Sequence, residues 1–143
     1  EINSEDDLQN KIDLLSKAID LDNNNFEALF ARGWIYNENG DYYKSISDYT
    51  KYIKTMKDFV DCSKAFCNRG IAYWNIEEIS KSMIDFNNAI KKANDDMNKG
   101  RAYFYRGKLK FSLDDRESAC EDWSRAGELG YTEAYEQKQY FCK

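Results

Sequence analysis

Residues 25–40 read NFEALFARGWIYNENG, a helical stretch with an Arg-Gly pair, Arg32 and Gly33, in its middle. A glycine inside a helix costs about 1 kcal/mol relative to alanine, so something must offset it. The same irregularity returns in CNRGIAYW at 67–74 and in YFYRGKLKF at 103–111. Gly33, Gly70 and Gly107 lie 37 residues apart, and each follows an arginine: Arg32, Arg69 and Arg106. A fixed period of this length is the sequence signature of a repeat architecture.

Further columns keep the period. Fifteen residues after each glycine stands an aspartate (Asp48, Asp85, Asp122), followed at once by an aromatic (Tyr49, Phe86, Trp123). Small residues recur at Ser45, Ser82 and Ala119, then Tyr52, Ala89 and Ala126 share a column, and Tyr36 and Tyr73 are answered by Lys110. These columns resemble the tetratricopeptide repeat over nearly all of the chain. The resemblance implies an all-α fold, a right-handed superhelix of antiparallel helical hairpins (an α-solenoid). Its usual unit is 34 residues, so the extra three are expected as a further helical turn or a longer inter-repeat loop. The closing segment, ACEDWSRAGELG followed by EAY and a terminal CK, is similar to that of repeat proteins of Bacteroidetes-type bacteria.

Helices are expected at about 26–38 and 42–56, 63–76 and 79–93, then 100–113 and 115–128. NENGD is a glycine turn, NIEEIS and SLDDRE turn without one, and DLDNNN and NDDMNKG read as loops between units. A single domain over 1–143 follows, with a partial repeat at 6–25 (second helix only), repeats at 26–62, 63–99 and 100–131, and a capping helix at 132–143 opened by Thr132. Residues 1–5 are too few for the missing first helix, so the chain reads as a fragment of a longer array or its acidic helix as a cap.

In an antiparallel hairpin, residues equidistant from the turn face each other. Gly33 then meets Ser45, Gly70 meets Ser82 and Gly107 meets Ala119, leaving room for the large aromatics beside them. By the same rule Arg32 faces Asp48, Arg69 faces Asp85 and Arg106 faces Asp122, suggesting one arginine–carboxylate bridge per hairpin. A catalytic site is needed once; this pair occurs three times.

Composition narrows the function. Proline is absent, and the 22 aromatic residues suit a packed helical core. Residues 1–25 hold seven acids and two bases, a net of −5 that equals the whole chain's, so the remainder balances. No basic face of the size needed for nucleic acid is visible. No apolar run approaches the roughly 18 residues of a membrane span. Histidine is absent, which removes His-based acid–base catalysis, Ser–His and Cys–His dyads and most zinc sites. No phosphate-cradling glycine loop is present. The carboxylate pairs Asp114/Asp115 and Glu77/Glu78 fall at hairpin turns, where acids commonly start a helix. No enzyme, cofactor or metal is expected.

The resemblance further implies that the first helix of each hairpin lines a concave, peptide-holding groove. Carried over by column, the groove presents Glu27, Phe30, Trp34, Asn37 and Glu38 from the first unit. Lys64, Cys67, Asn68, Ile71, Trp74 and Asn75 come from the second, and Arg101, Phe104, Tyr105, Lys108, Phe111 and Ser112 from the third. For each aromatic, packing between hairpins is the competing reading. One subclass of the family grips chaperone tails with lysine, asparagine and arginine; Asn68 and Arg101 match that pattern, but Phe30, Trp34 and Tyr105 replace its other members, which argues against chaperone-tail binding.

Cys62 and Cys67, five apart, match no zinc spacing. Cys120 and Cys142 each stand eleven residues from Tyr131, so a turn there brings them together. Two readings stand: a disulfide clamping the terminal helix, implying an exported, oxidising location, or two ordinary buried thiols in a cytoplasmic protein. Glu1 rather than Met opens the chain, so a targeting signal is not read from this sequence. The leading expectation is a non-catalytic module that binds a protein or peptide partner in the groove. The alternative is a structural element that self-associates or spaces domains through the incomplete N-terminal repeat.

Overall fold

The computed structural model describes residues 4–143; Glu1, counted in the N-terminal charge, lies outside them. Eight helices follow in order among the described residues: α1 (Ser4–Leu21), α2 (Phe26–Glu38), α3 (Tyr42–Met56), α4 (Ser63–Asn75), α5 (Ile79–Lys92), α6 (Asp96–Ser112), α7 (Arg116–Glu128) and α8 (Glu133–Phe141). The pairs α2/α3, α4/α5 and α6/α7 are hairpins, stacked in sequence order between α1 and α8. α4 also touches α2 and α6 directly, whereas α3, α5 and α7 make no comparable contact with one another among the described residues. The first helices therefore line the inner curve of the stack.

Each second helix buries one stripe: Ser45, Asp48, Tyr49 and Ile53 on α3, Ser82, Asp85, Phe86 and Ala89 on α5, Ala119, Asp122, Trp123 and Ala126 on α7. This spacing is one face of an α-helix. A Cβ built on Gly33 would lie 3.1 Å from the Tyr49 ring, on Gly70 2.8 Å from Phe86 and on Gly107 2.8 Å from Trp123. The helical glycines are thus required by rings that are almost wholly buried, and packing offsets the propensity cost. Ser82 donates its hydroxyl to the Gly70 carbonyl at 2.7 Å, while the Ser45 hydroxyl in the same column finds no partner among the described residues.

The three arginines make bidentate pairs, with Nε and Nη2 on the carboxylates of Asp48, Asp85 and Asp122 at 2.7–2.8 Å. Each also extends Nη1 to the helix that precedes its hairpin: Arg32 to Ser16 on α1 (3.1 Å), Arg69 to Thr50 on α3 (3.1 Å) and Arg106 to Asn87 on α5 (2.9 Å). One guanidinium therefore closes its own hairpin and straps it to the helix before it. In the third copy, where Lys110 replaces the tyrosine, the ammonium adds a second cation to Asp122 at 3.1 Å.

The turns share one device. Gly40, Glu77 and Asp114, in one column, have φ of 81°, 63° and 64°, and the amide after each donates back into the finished helix, as from Asp41 to Tyr36 at 2.8 Å. This is the left-handed helix stop that glycine favours, adopted twice by carboxylate residues. The three extra residues per unit are used in two ways. Between α3 and α4 they lengthen the loop over 57–62; between α5 and α6 they become the first turn of α6.

That second use corrects a reading of the sequence. NDDMNKG is loop only as far as Asp95, whose side chain accepts from the Asn98 amide at 2.8 Å and starts α6 at Asp96 rather than near 100. Gly100 is consequently a helical glycine; a Cβ there would lie 3.1 Å from Tyr131 and 3.2 Å from the Ala126 carbonyl. Thr132 does precede α8 but makes no side-chain capping bond. α1 packs on α2, yet at the 34-residue offset that sets Ala18 against Tyr52 it carries Lys11 in the small column and Leu14 in the aspartate column. Leu14 and Leu21 are exposed.

Cys120 and Cys142 are bonded, with Cα atoms 5.8 Å apart, and tie the end of α8 to α7. The other two cysteines, Cys62 and Cys67, are buried thiols, and burial pushes Cys67 up to about 11.

Candidate functional site

The inner face is built from α2, α4 and α6, and its centre is a cation held between rings. The Arg101 guanidinium lies 5.7 Å from the centroid of Trp34 and 5.2 Å from that of Tyr105, distances at which ring quadrupoles attract a cation. Trp34 stands on the first hairpin and Arg101 on the third, so the contact bridges the whole curve. Among the described residues no carboxylate forms an ion pair with Arg101, in contrast to Arg32, Arg69 and Arg106. Lys108 extends the basic surface, its ammonium 5.4 Å from Phe104 and 5.7 Å from Tyr105.

On one side of this bridge, Ile71, Trp74, Asn75, Glu77, Ile79, Tyr105 and Lys108 surround an open depression of about 510 Å³. On the other, where α2 and α4 begin, Glu27, Phe30, Tyr52, Val60, Asp61, Cys62, Lys64 and Ala65 line a smaller one of about 320 Å³. Phe30 forms its wall by packing edge-on against Tyr49 and Tyr52, at 5.3 and 5.2 Å between centroids. Asp61 fixes the rim. Its carboxylate takes the amide and hydroxyl of Ser63 and the amide of Asn94 from the next inter-repeat loop. Partial burial pushes its pKa up, but those three donors outweigh it and hold the carboxyl below its ordinary value.

Four residues expected on the groove stand elsewhere. Cys67, Asn68 and Phe104 are buried, at 2%, 5% and 5% exposure, and so do not face a ligand. Asn68 instead donates to the Tyr49 hydroxyl at 3.1 Å, Cys67 packs in the central core, and Phe104 sits against Tyr131 and receives the Trp123 indole N–H at its carbonyl. Phe111 belongs to the C-terminal cluster, packed at a tilt against Trp123 and Phe141 at 5.5 and 4.8 Å between centroids. The physical reason is common: a helix packed on both sides turns more than one stripe inward. Phe30, Trp34, Ile71, Trp74, Arg101 and Lys108 remain partly accessible, Lys64 is exposed, and Asn37 is half-buried with its amide oxygen unpartnered among the described residues. Tyr52, Val60, Asp61 and Ile79 line the depressions without having been expected there. Tyr52 carried a readable signal, since the rest of its column is alanine.

Among the described residues no cluster of three or more potential ligands could hold a metal ion, and no helix is long and apolar enough to cross a membrane.

A stack of helical hairpins closed by arginine–aspartate pairs, with its first helices lining the inner curve, defines an α-solenoid of the interaction type. The family model for the tetratricopeptide repeat matches residues 14–47, from the middle of α1 into α3. With the recurring columns, the stack has the fold of tetratricopeptide-repeat proteins, a right-handed superhelix. Curated proteins show no sequence match. Among solved structures, MamA (41 to the end) from Desulfovibrio magneticus RS-1 superposes with a TM-score of 0.75 at 18% identity, over 88% of this chain and 68% of that one. The first tetratricopeptide domain of Spaghetti (RPAP3), bound to the HSP90 peptide SRMEEVD, gives 0.69 at 26% identity over 81% and 89%. The same domain of human RPAP3 in solution gives 0.71 at 26% over 81% and 88%. Repeats of this family serve protein interaction and are in general non-catalytic.

Proposed function

We propose that this chain is a recognition module whose concave face holds a peptide segment of a protein partner, with Arg101 as the central polar contact. The observation that carries the reading is the Trp34–Arg101–Tyr105 cluster: a partly accessible guanidinium with no acidic partner among the described residues, oriented by two rings on the inner curve. An arginine fixed this way has already lost its rotamer freedom and offers five donors to an incoming carboxylate or carbonyl. The similarity to a domain that binds an HSP90 peptide supports the mode of binding. It does not extend to that peptide, because Phe30, Trp34 and Tyr105 replace residues that grip such tails. The Cys120–Cys142 bond favours an oxidising compartment.

Selection from a random peptide library, followed by titration of the winners, tests the reading. Trp34→Ala with Arg101→Ala should weaken the selected peptides by roughly tenfold or more, with helicity unchanged. Equal affinity in the double variant would remove the groove from the account. Phe104 is excluded from the variant because it is a core residue.

A second reading, assembly through α1, is favoured by the exposed Leu14 and Leu21 on its outer face. A molecular mass that rises with concentration, and falls back in Leu14→Lys with Leu21→Lys, is the result it requires.

A further inference from the structure

The pocket between α2, the α3–α4 loop and the start of α4 is not part of the Arg101 cluster, and its origin is visible in the chain. α3 ends at Met56 and α4 begins at Ser63, and the lengthened connection stands away from Phe30 and Tyr52. One repeat later the corresponding residues 97–99 are the opening turn of α6, so the same insertion is spent on helix. Tyr52 replaces the alanine of its column and supplies an aromatic floor. The loop is pinned by Asp61 to Ser63 and Asn94, so its shape does not depend on a ligand.

We infer that this pocket is an anchor site for one large apolar side chain of the partner peptide, preferentially one followed by a lysine or arginine. At about 320 Å³ the space sits at the bottom of the range for ligand sites and suits a single leucine or phenylalanine side chain. Phe30, Tyr52, Val60, Cys62 and Ala65 provide apolar walls. The rim carries two carboxylates, Glu27 and Asp61, against one ammonium, Lys64, leaving one negative charge for a basic neighbour. Val60, which lines the pocket, and Phe59, its neighbour in the chain, are exposed at 43% and 79% and offer further apolar surface to the same segment. The inference rests on the proposed peptide-binding function and names the residue class that the peptide must contain.

The test is amide NMR of the full chain titrated with three probes: N-acetyl-Phe-Lys-amide, N-acetyl-Phe-Glu-amide and N-acetyl-Gly-Lys-amide. The Phe-Lys probe should give saturable shifts centred on Tyr52 and residues 60–65, with a dissociation constant on the order of millimolar. Phe-Glu should bind roughly two- to five-fold more weakly, and Glu27→Gln should narrow that gap without moving the remaining spectrum. Gly-Lys should cause no shift at these residues. Absence of saturable shifts there, or shifts centred instead on Trp74 and Ile79, overturns the anchor site. Equal binding of the two Phe probes overturns the basic preference. Failure of the groove reading is separate: Trp34→Ala with Arg101→Ala would then leave selected peptides bound while these pocket shifts persist.

Discussion

Gly70 shows how a single hydrogen can decide a repeat. Alanine there would improve helix propensity by about 1 kcal/mol, yet its Cβ would sit 2.8 Å from a Phe86 ring that is wholly buried and has nowhere to go. Gly70→Ala should therefore lower stability by about 1–3 kcal/mol in urea unfolding; a gain would mean the ring can shift. The serine column gives the opposite lesson on polar groups. Ser82 donates into the Gly70 carbonyl, so Ser82→Ala should cost about 1 kcal/mol, whereas the unpartnered Ser45 hydroxyl should be removable in Ser45→Ala at no cost or with a gain. The third repeat already carries Ala119 at this position. Arginine and aspartate columns were legible from sequence because they recur at one spacing. The strap from each guanidinium to Ser16, Thr50 or Asn87 was not, since those three residues differ in type, and Ser16 lies 16 residues from its arginine where Thr50 and Asn87 lie 19 from theirs.

At the level of elements, helix boundaries follow local chemistry where that chemistry is distinctive. NENGD announces a stop because Gly40 takes φ of 81° without strain. Glu77 and Asp114 hold the same left-handed backbone with a side chain attached, at a cost of roughly 1 kcal/mol. Glu77→Gly should return much of that, raising the melting temperature by a few degrees; no change would show the turn to be relaxed around the carboxylate. The start of α6 was missed by four residues for a related reason. Asn, Asp and Gly favour loops by composition, but Asp95 is an N-cap and Gly100 a packing residue inside the helix. Composition does not distinguish a loop glycine from one pressed against the Ala126 carbonyl.

For the whole molecule, stability is a chain of nearest-neighbour contacts, so the ends are where it is most easily lost. α8 has nine residues, too few to be helical alone, and buries only Ala134 within its length. The bond from Cys142 to Cys120 closes a separation of 22 residues, for which the loss of unfolded-state entropy corresponds to about 3 kcal/mol. Cys142→Ser should speed amide exchange in α8 and the outer turns of α7 while α2 and α3 keep wild-type protection. Uniform loosening of all helices would instead indicate one cooperative unit. Alkylation checks the pairing itself: denatured, unreduced chain should take two labels, on Cys62 and Cys67, and four only after reduction.

Sequence by itself determined the class of fold, the period, the hairpin register and the arginine–aspartate partnerships, because each depends on residues that repeat and pair within one hairpin. It also narrowed the cysteines to two readings. The site was legible only in part. Which stripe of α2, α4 and α6 stays open depends on how successive hairpins rotate against each other, and that rotation buried Cys67, Asn68 and Phe104 while bringing Trp34 onto Arg101. Those two residues are separated by nearly two repeats, and no local spacing encodes their meeting. The pocket beside Tyr52 arose from spending one insertion on a loop and the next on a helical turn, a choice settled by the Asp95 cap and by the packing of Gly100 rather than by the insertion's length.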